Sequence, residues 1–239
     1  MPDLWRKFNF EKDTIKEKMT VEAVIFDMDG LMIESEQFHY DIMGLLLAKY
    51  GKKPSETWFE PMIGMDNIEG AEFVIRETGL PLSPEAYIQE KYDIMLNLLP
   101  EVSKPNPGLL ELLQDLVDAG LKLGVASNSF AVYVRIALEA LGISDVFCCV
   151  LSADDVENAK PAPDMYFLAA KCLGVAPENC LVLEDSPHGM MAALAAGMSC
   201  AVIPNPHLKD ANFDEATYVF SSLVALRQEL PDILNNHSG

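Results

Sequence analysis

Ile25-Phe26-Asp27-Met28-Asp29-Gly30-Leu31-Met32-Ile33-Glu34-Ser35-Glu36 sets two carboxylates, Asp27 and Asp29, at the end of an apolar run that begins at Val21. That run reads as a short, mostly buried parallel strand, and acids at its carboxyl end stand where open α/β sheets bind ligands. Gly30 then permits a sharp departure from the sheet. Two anions this close repel, so they require a shared cation or proton, or a division of roles. A divalent metal with one nucleophilic and one acid/base carboxylate meets that requirement. For the pair alone, turn capping is the alternative, because Asp readily bonds nearby backbone.

Three later stretches repeat the placement. Leu121–Ala126 reads as a second strand, ending in Ser127-Asn128-Ser129 just before a helix, where hydroxyls and amides hold anions. A Ser there also serves as a plain N-cap. Lys160, in Ala159-Lys160-Pro161-Ala162-Pro163-Asp164, occupies a stiff loop before a further helix; taken alone, such a lysine is a solvated surface charge. Leu181-Val182-Leu183 is an apolar strand ending in Glu184 and Asp185, with Pro187 near the first position of the next helix. Acids there also complement a helix dipole. Each signal has an ordinary explanation, but all four fall at carboxyl ends of strands.

In these stretches the chain resembles the haloacid dehalogenase superfamily of phosphoryl-transfer enzymes, and within it the branch of β-phosphoglucomutase and small sugar-phosphate phosphatases. The first motif, Asp-x-Asp-Gly, is Asp27 to Gly30; the second-motif Ser is Ser127, the third-motif Lys is Lys160, and the fourth-motif acids are Glu184 and Asp185. The resemblance implies that Asp27 attacks phosphorus to give an aspartyl-phosphate, while Asp29 protonates the leaving oxygen and later deprotonates water. It implies Mg²⁺ as cofactor, held by the carboxylates of Asp27 and Asp185 and the backbone carbonyl of Asp29, with Glu184 acting through bound water. Ser127, Asn128 and Lys160 are the implied phosphoryl contacts.

The expected fold class is α/β: a Rossmann-like parallel sheet core with an inserted α-helical cap. Strand-like segments near 21–27, 121–127, 147–152, 180–185 and 199–203 alternate with helical segments ending at Gly120, Gly142, Gly174 and Gly197. The stretch 36–103 has helical periodicity and is too long for a loop. The expected units are an extension at 1–19, a core at 20–35 and 104–239, and a cap at 36–103, with hinges near 31–35 and 101–107. Met19 is a plausible alternative start. No Gly-x-Gly-x-x-Gly occurs, which argues against a dinucleotide site.

The cap is where substrate choice is expected, since it closes over generic phosphate chemistry. Relatives of the β-phosphoglucomutase branch use an Arg near the start of a cap helix to grip a second phosphate, and here Asn67 stands around that position. Arg76, further along the same helix, is either a substitute or surface charge, and Lys91 either the substrate-facing cap lysine or a solvated one. His39 is either a hinge histidine that helps position phosphate or Asp29, or a structural one. His188, in a first helical turn, is expected to be neutral and incidental. Met62, Met65, Met95 and Trp58 read more as cap core than as pocket.

Charge and cysteines bound the rest. With 17 Lys and Arg against 37 Asp and Glu, the formal net charge of −20 argues against nucleic acid or anionic membrane as a partner. No stretch reaches the ~18 apolar residues of a membrane span, and Met1–Thr20 lacks the apolar centre of a signal peptide. Cys148, Cys149, Cys172, Cys180 and Cys200 read as buried thiols in a reducing cytoplasm. The expectation is a cytoplasmic, Mg²⁺-dependent phosphatase acting on a small phosphorylated metabolite, as a monomer or small homo-oligomer. Its rival within the class is a sugar-phosphate mutase. A phosphorylatable binding module of the response-regulator kind uses similar residues, but Asp29 and the inserted helices argue against it.

Overall fold

A computed structural model describes residues 20–58, 62, 67–208 and 211–236 of the chain. The 1–19 extension and Met65 lie outside them. Six strands form one parallel sheet: β1 Ala23–Phe26, β2 Lys122–Ala126, β3 Cys149–Leu151, β4 Cys180–Glu184, β5 Ser199–Val202 and β6 Tyr218–Val219. Their spatial order is β3-β2-β1-β4-β5-β6, the layout of a Rossmann-like α/β core. Only the two-residue β6 escaped the sequence reading. So short a strand has no periodicity to detect.

Alternation along the central strands explains the double covering. Val24 and Phe26 of β1, with Leu181 and Leu183 of β4, enter one apolar cluster; Ala23 and Ile25, with Cys180 and Val182, enter the other. Successive side chains of a strand point to opposite faces, so an unbroken apolar run needs helices on both. On the first face lie α4 (Leu109–Asp118), α5 (Ala131–Leu141) and α8 (Leu223–Asn236); on the second lie α6 (Asp164–Leu173) and α7 (Pro187–Ala195). Helices α5 and α6 end on Gly142 and Gly174 in the left-handed conformation, as the positions of those glycines suggest.

Between β1 and β2 stand α1 (Glu36–Lys49), α2 (Asn67–Thr78) and α3 (Pro84–Val102). Met43, Leu46 and Leu47 of α1 share an apolar cluster with Val74 and Tyr87, while Tyr92, Met95 and Leu99 of α3 join the sheet-side cluster. The two chain crossings run together: Asn106 Nδ2 donates to the carbonyls of Gly30 and Leu31 at 3.0 and 2.9 Å, and its backbone N–H to Met32 at 2.8 Å. Backbone groups left bare by the turn after β1 are thereby satisfied.

The cysteines require a correction. Cys149 and Cys172 form a disulfide joining β3 to α6, with Cα atoms 6.0 Å apart, and Cys148 is exposed. Only Cys180 and Cys200 are the buried thiols expected. The spacing hides the pair because it is made by strand–helix packing, so cysteine usage no longer argues for a reducing compartment. Among the described residues, no helix is long and apolar enough to cross a membrane.

Two glycines separate backbone strain from crowding. Gly142 (φ +68°) has open space where a side chain would begin, whereas a methyl at Gly108 (φ +90°) would meet Val224 Cγ2 at 2.8 Å and its backbone nitrogen at 3.0 Å. Gly142→Ala should cost about 1–2 kcal/mol, the strain of a left-handed alanine. Gly108→Ala should cost clearly more, since α8 must also move. Urea unfolding of the two variants checks this; equal losses would show that the α4–α8 contact yields freely.

Candidate active site

Strand register assembles the site. Phe26 pairs with Val125 on one side and Leu183 on the other, so the residues that next leave the sheet are Asp27, Ser127, Glu184 and Asp185. Backbone bonds hold those exits in line, Asp27 N–H to Leu183 at 2.9 Å and Ser127 N–H to Leu151 at 3.1 Å. All four face a cavity of about 820 Å³ or lie directly beneath it.

Lys160 is not the surface charge it would be in isolation. It is buried, and its ammonium donates to Asp27 Oδ1 at 2.6 Å, Glu184 Oε1 at 2.7 Å and the Ala126 carbonyl at 2.7 Å. An ammonium has three donors, and each has an acceptor. Burial alone pulls this lysine's pKa down, but the Asp27 and Glu184 carboxylates outweigh that and raise it above the ordinary lysine value, so it is cationic. Asn128 explains how the lysine is aimed. Its amide accepts from the Lys160 N–H at 3.0 Å and donates to the Lys160 carbonyl at 3.1 Å. Asn128 also lines the cavity, with one amide hydrogen left over from these bonds.

Asp27, Glu184 and Asp185 each offer an oxygen within 4.8 Å of the others, and all three residues are buried. Burial raises the Asp27 carboxyl well above the usual range; Lys160 pulls it back, while Glu184 and Asp185 push it further up. One ammonium gains from two carboxylates, but each carboxylate has only a share of it. The cluster thus carries more negative charge than Lys160 neutralises, and a hard divalent cation with a preference for oxygen fits that deficit. Gly30 is what lets the acids approach: a Cβ there would fall 1.9 Å from Asp185 Oδ2 and 2.9 Å from Asn205 Nδ2.

Asp29 lives in a different environment. Its side chain is 27% exposed and lines the cavity. Its Oδ2 accepts from the Ser129 hydroxyl and Oδ1 from the Tyr133 hydroxyl, each at 2.7 Å. His39 Nε2 stands 4.0 Å from Oδ1. Burial lowers the His39 pKa to about 4, nearby Lys91 lowers it too, and Asp29 opposes them. The imidazole is therefore neutral near pH 7.

The side of the cavity formed between β1 and β2 is mixed: His39, Asn67, Lys91 and Met62 line it, and from α7 so does His188, which the sequence reading set aside as incidental. Arg76 does not. It lies over the Phe73 ring and against Glu77, largely exposed, so the substitute-arginine reading is corrected to surface charge. Met95 is core and Trp58 packs edge-on against Phe73. Sequence reasoning missed Tyr133, Tyr166, Ser129 and Asn205. Tyr166 donates to Glu184 and Asn205 Nδ2 to Asp185 Oδ2 at 2.9 Å. The two tyrosines carry the periodicity of core residues, so nothing in the sequence marks their hydroxyls.

A family model described as haloacid dehalogenase-like hydrolase matches residues 24–203. The chain is 30% identical over 218 residues to (DL)-glycerol-3-phosphatase 2 of Arabidopsis thaliana, covering 88% of this chain and 90% of that one. It is 30% identical over 178 residues to the phosphorylated carbohydrates phosphatase of Thermotoga maritima, covering 74% and 82%. Among solved structures, CbbY from Rhodobacter sphaeroides in complex with phosphate superimposes with a TM-score of 0.79 at 27% identity, over 86% of this chain and 96% of that one.

The His39 environment makes a direct prediction. A histidine whose folded pKa lies near 4 rather than 6.5 takes up its proton more readily in the unfolded chain, so it weakens the fold progressively as pH falls between those values. An NMR titration of the His39 ring should give a midpoint near 4; a midpoint at or above 6.5 would mean that attraction to Asp29 outweighs burial.

Proposed function

The chain belongs to the haloacid dehalogenase-like hydrolase family, and from that premise we propose that it is a Mg²⁺-dependent phosphatase of a small phosphate monoester, a sugar or polyol phosphate. The observation that carries this reading is the buried Lys160 ammonium shared by Asp27 and Glu184, beside Asp185 and beneath an open cavity. Glycerol 3-phosphate and phosphorylated carbohydrates, named for two relatives, are substrates of that size.

In this reading Asp27 attacks the phosphorus in line, and the bond to the alcohol oxygen breaks as Asp29 delivers it a proton. Asp29 then takes a proton from water, the water oxygen attacks the aspartyl-phosphate, and Asp27 is regenerated with release of inorganic phosphate. Ser127 steadies the transferring oxygens, and Lys160 offsets their charge. The carboxylates of Asp27 and Asp185 and the backbone carbonyl of Asp29 would hold Mg²⁺, with Glu184 acting through water. Bound there, the ion offsets phosphoryl charge. Division of labour follows from environment: Asp27 is buried against a cation, while Asp29 lies at the cavity wall among hydroxyls.

Hydrolysis is favoured over mutase chemistry by the cap wall. Among the described residues no arginine lines the cavity, and Asn67 and Glu69 stand at the start of α2. An acid there repels a second phosphate. The core domain at 20–35 and 104–239, the cap at 36–103 and a cytoplasmic setting belong to the same proposal.

Asp27→Asn should keep the fold and lose turnover by at least 10²–10⁴-fold, on the order seen when chemistry loses a positioned group, and chelation should silence the wild type until Mg²⁺ is restored. Phosphate release from an aryl phosphate measures both; Asp27→Asn activity within tenfold of wild type would reject the nucleophile.

The choice between hydrolysis and mutase chemistry has its own assay. Incubation with glucose 1-phosphates should release inorganic phosphate without a bisphosphate activator. Efficient formation of glucose 6-phosphate with negligible free phosphate would reverse the ranking.

A further inference from the structure

Tyr133 belongs to the apolar face of α5, fully buried, and packs in the main core cluster. A phenylalanine would fill that place equally well. What the tyrosine adds is a hydroxyl that leaves the core and donates to Asp29 Oδ1 at 2.7 Å, across 104 residues of sequence. Ser129, three residues after the end of β2, donates to the other oxygen, Oδ2, at the same distance. Two donors, one on each oxygen, fix both the position and the plane of a carboxylate in a way that a single bond does not.

We propose that Tyr133 and Ser129 are positioning residues that together aim the Asp29 carboxylate for its proton transfers. This rests on the phosphatase reading and extends it to residues that act through Asp29.

The geometry supports the role in two further ways. Ser129, Tyr133 and the second-motif Ser127 belong to one continuous unit, the exit of β2 running into α5, and the Ser129 N–H donates to Ser127 Oγ at 3.0 Å. The acid/base carboxylate is thereby keyed to the same backbone that presents the phosphoryl-holding hydroxyl. The unit is itself braced: Phe130 packs edge-on against Tyr92 of α3, ring centroids 4.8 Å apart, and the His39 ring stacks on Tyr133 at 6.1 Å. Asp29 is held by Ser129 and by Tyr133 of α5, with His39 of α1 beside it, so its orientation does not depend on its own turn alone. A misaimed general acid is most harmful where the leaving group needs its proton. An alkyl phosphate has a poor leaving group and an aryl phosphate a good one, so aiming and mere packing have different signatures.

The test compares the single-turnover rate of alcohol release, the step before hydrolysis of the aspartyl-phosphate, on glycerol phosphate and on a nitrophenyl phosphate, with saturating Mg²⁺, for wild type, Tyr133→Phe, Ser129→Ala and Asp29→Asn, with urea unfolding of each. Tyr133→Phe and Ser129→Ala should each lose about 10–100-fold in that rate on the alkyl ester, the worth of a hydrogen bond to a charged group. Losses on the aryl ester should stay within about threefold, KM should move little, and the combined variant should approach Asp29→Asn without passing it. Equal losses on both esters, or no loss with only reduced stability, would show that the hydroxyls merely satisfy the core, and would overturn the proposal while leaving the phosphatase reading intact. A wild type that releases no phosphate from either ester, with Mg²⁺ present, would overturn both.

Discussion

One buried ammonium holds together groups that would otherwise drive each other apart. Lys160 is shared by Asp27 and Glu184 with Asp185 close by, and every donor of the ammonium is used. Removing an ion from water is costly, and such a cluster persists only where partners and geometry offset the cost. The offset comes from distant parts of the chain: Asn128 clamps the Lys160 backbone, Tyr166 donates to Glu184, and Gly30 leaves the space into which Asp185 fits. Even so, the balance stays negative. The residual charge that makes the cluster costly for an empty protein is what suits it to a divalent cation and a phosphoryl group.

Around this centre the molecule separates two carboxylates that differ by only two positions in the chain. Asp27 continues β1 and is drawn into the buried charge cluster, while the backbone turns at Met28 and delivers Asp29 to the cavity wall. There, among the described residues, it meets the neutral partners Ser129, Tyr133 and the imidazole of His39. A carboxylate bonded to neutral hydroxyls can gain and lose a proton without breaking an ion pair. Asp27 shares its ammonium with Glu184, so a change in its charge would disturb that whole cluster. In the proposed chemistry, environment and not residue type divides attack from proton transfer.

In the proposed reading, substrate choice belongs to a different part of the molecule and is written in weaker ink. The helices between β1 and β2 present Asn67, Glu69, Lys91 and Met62 to the cavity, a mixed wall with no charge pattern as decisive as that beneath it. Their own apolar cluster is small, and Ile42 of α1 with Tyr92, Met95 and Leu99 of α3 ties them to the sheet-side core. Elements with fewer buried contacts open at lower free energy, which suits a cover over a site that must exchange substrate and product.

Much of this was legible in the sequence because it depends on local pattern. Mostly apolar runs of strand length identify β1, β2 and β4, glycines mark the helix ends, and the acids and Ser127 follow those runs directly, which is enough for the fold class and most of the core of the site; Lys160 lies in the loop between β3 and α6 and is carried into the site by the fold. Other features depend on which surfaces meet. Tyr133 and Tyr166 look like core, and only tertiary packing aims their hydroxyls at Asp29 and Glu184. Cys149 and Cys172 look like unrelated thiols until β3 and α6 come together. Nothing in the sequence says that Asn128 also clamps the Lys160 backbone, and Arg76 reads as a candidate ligand until its helix turns it to solvent. Sequence by itself determined which residue types stand at strand ends, because periodicity is a property of the chain; only the tertiary structure decided which hydroxyl, amide or thiol partners which, because that is a property of contacts between elements far apart along it.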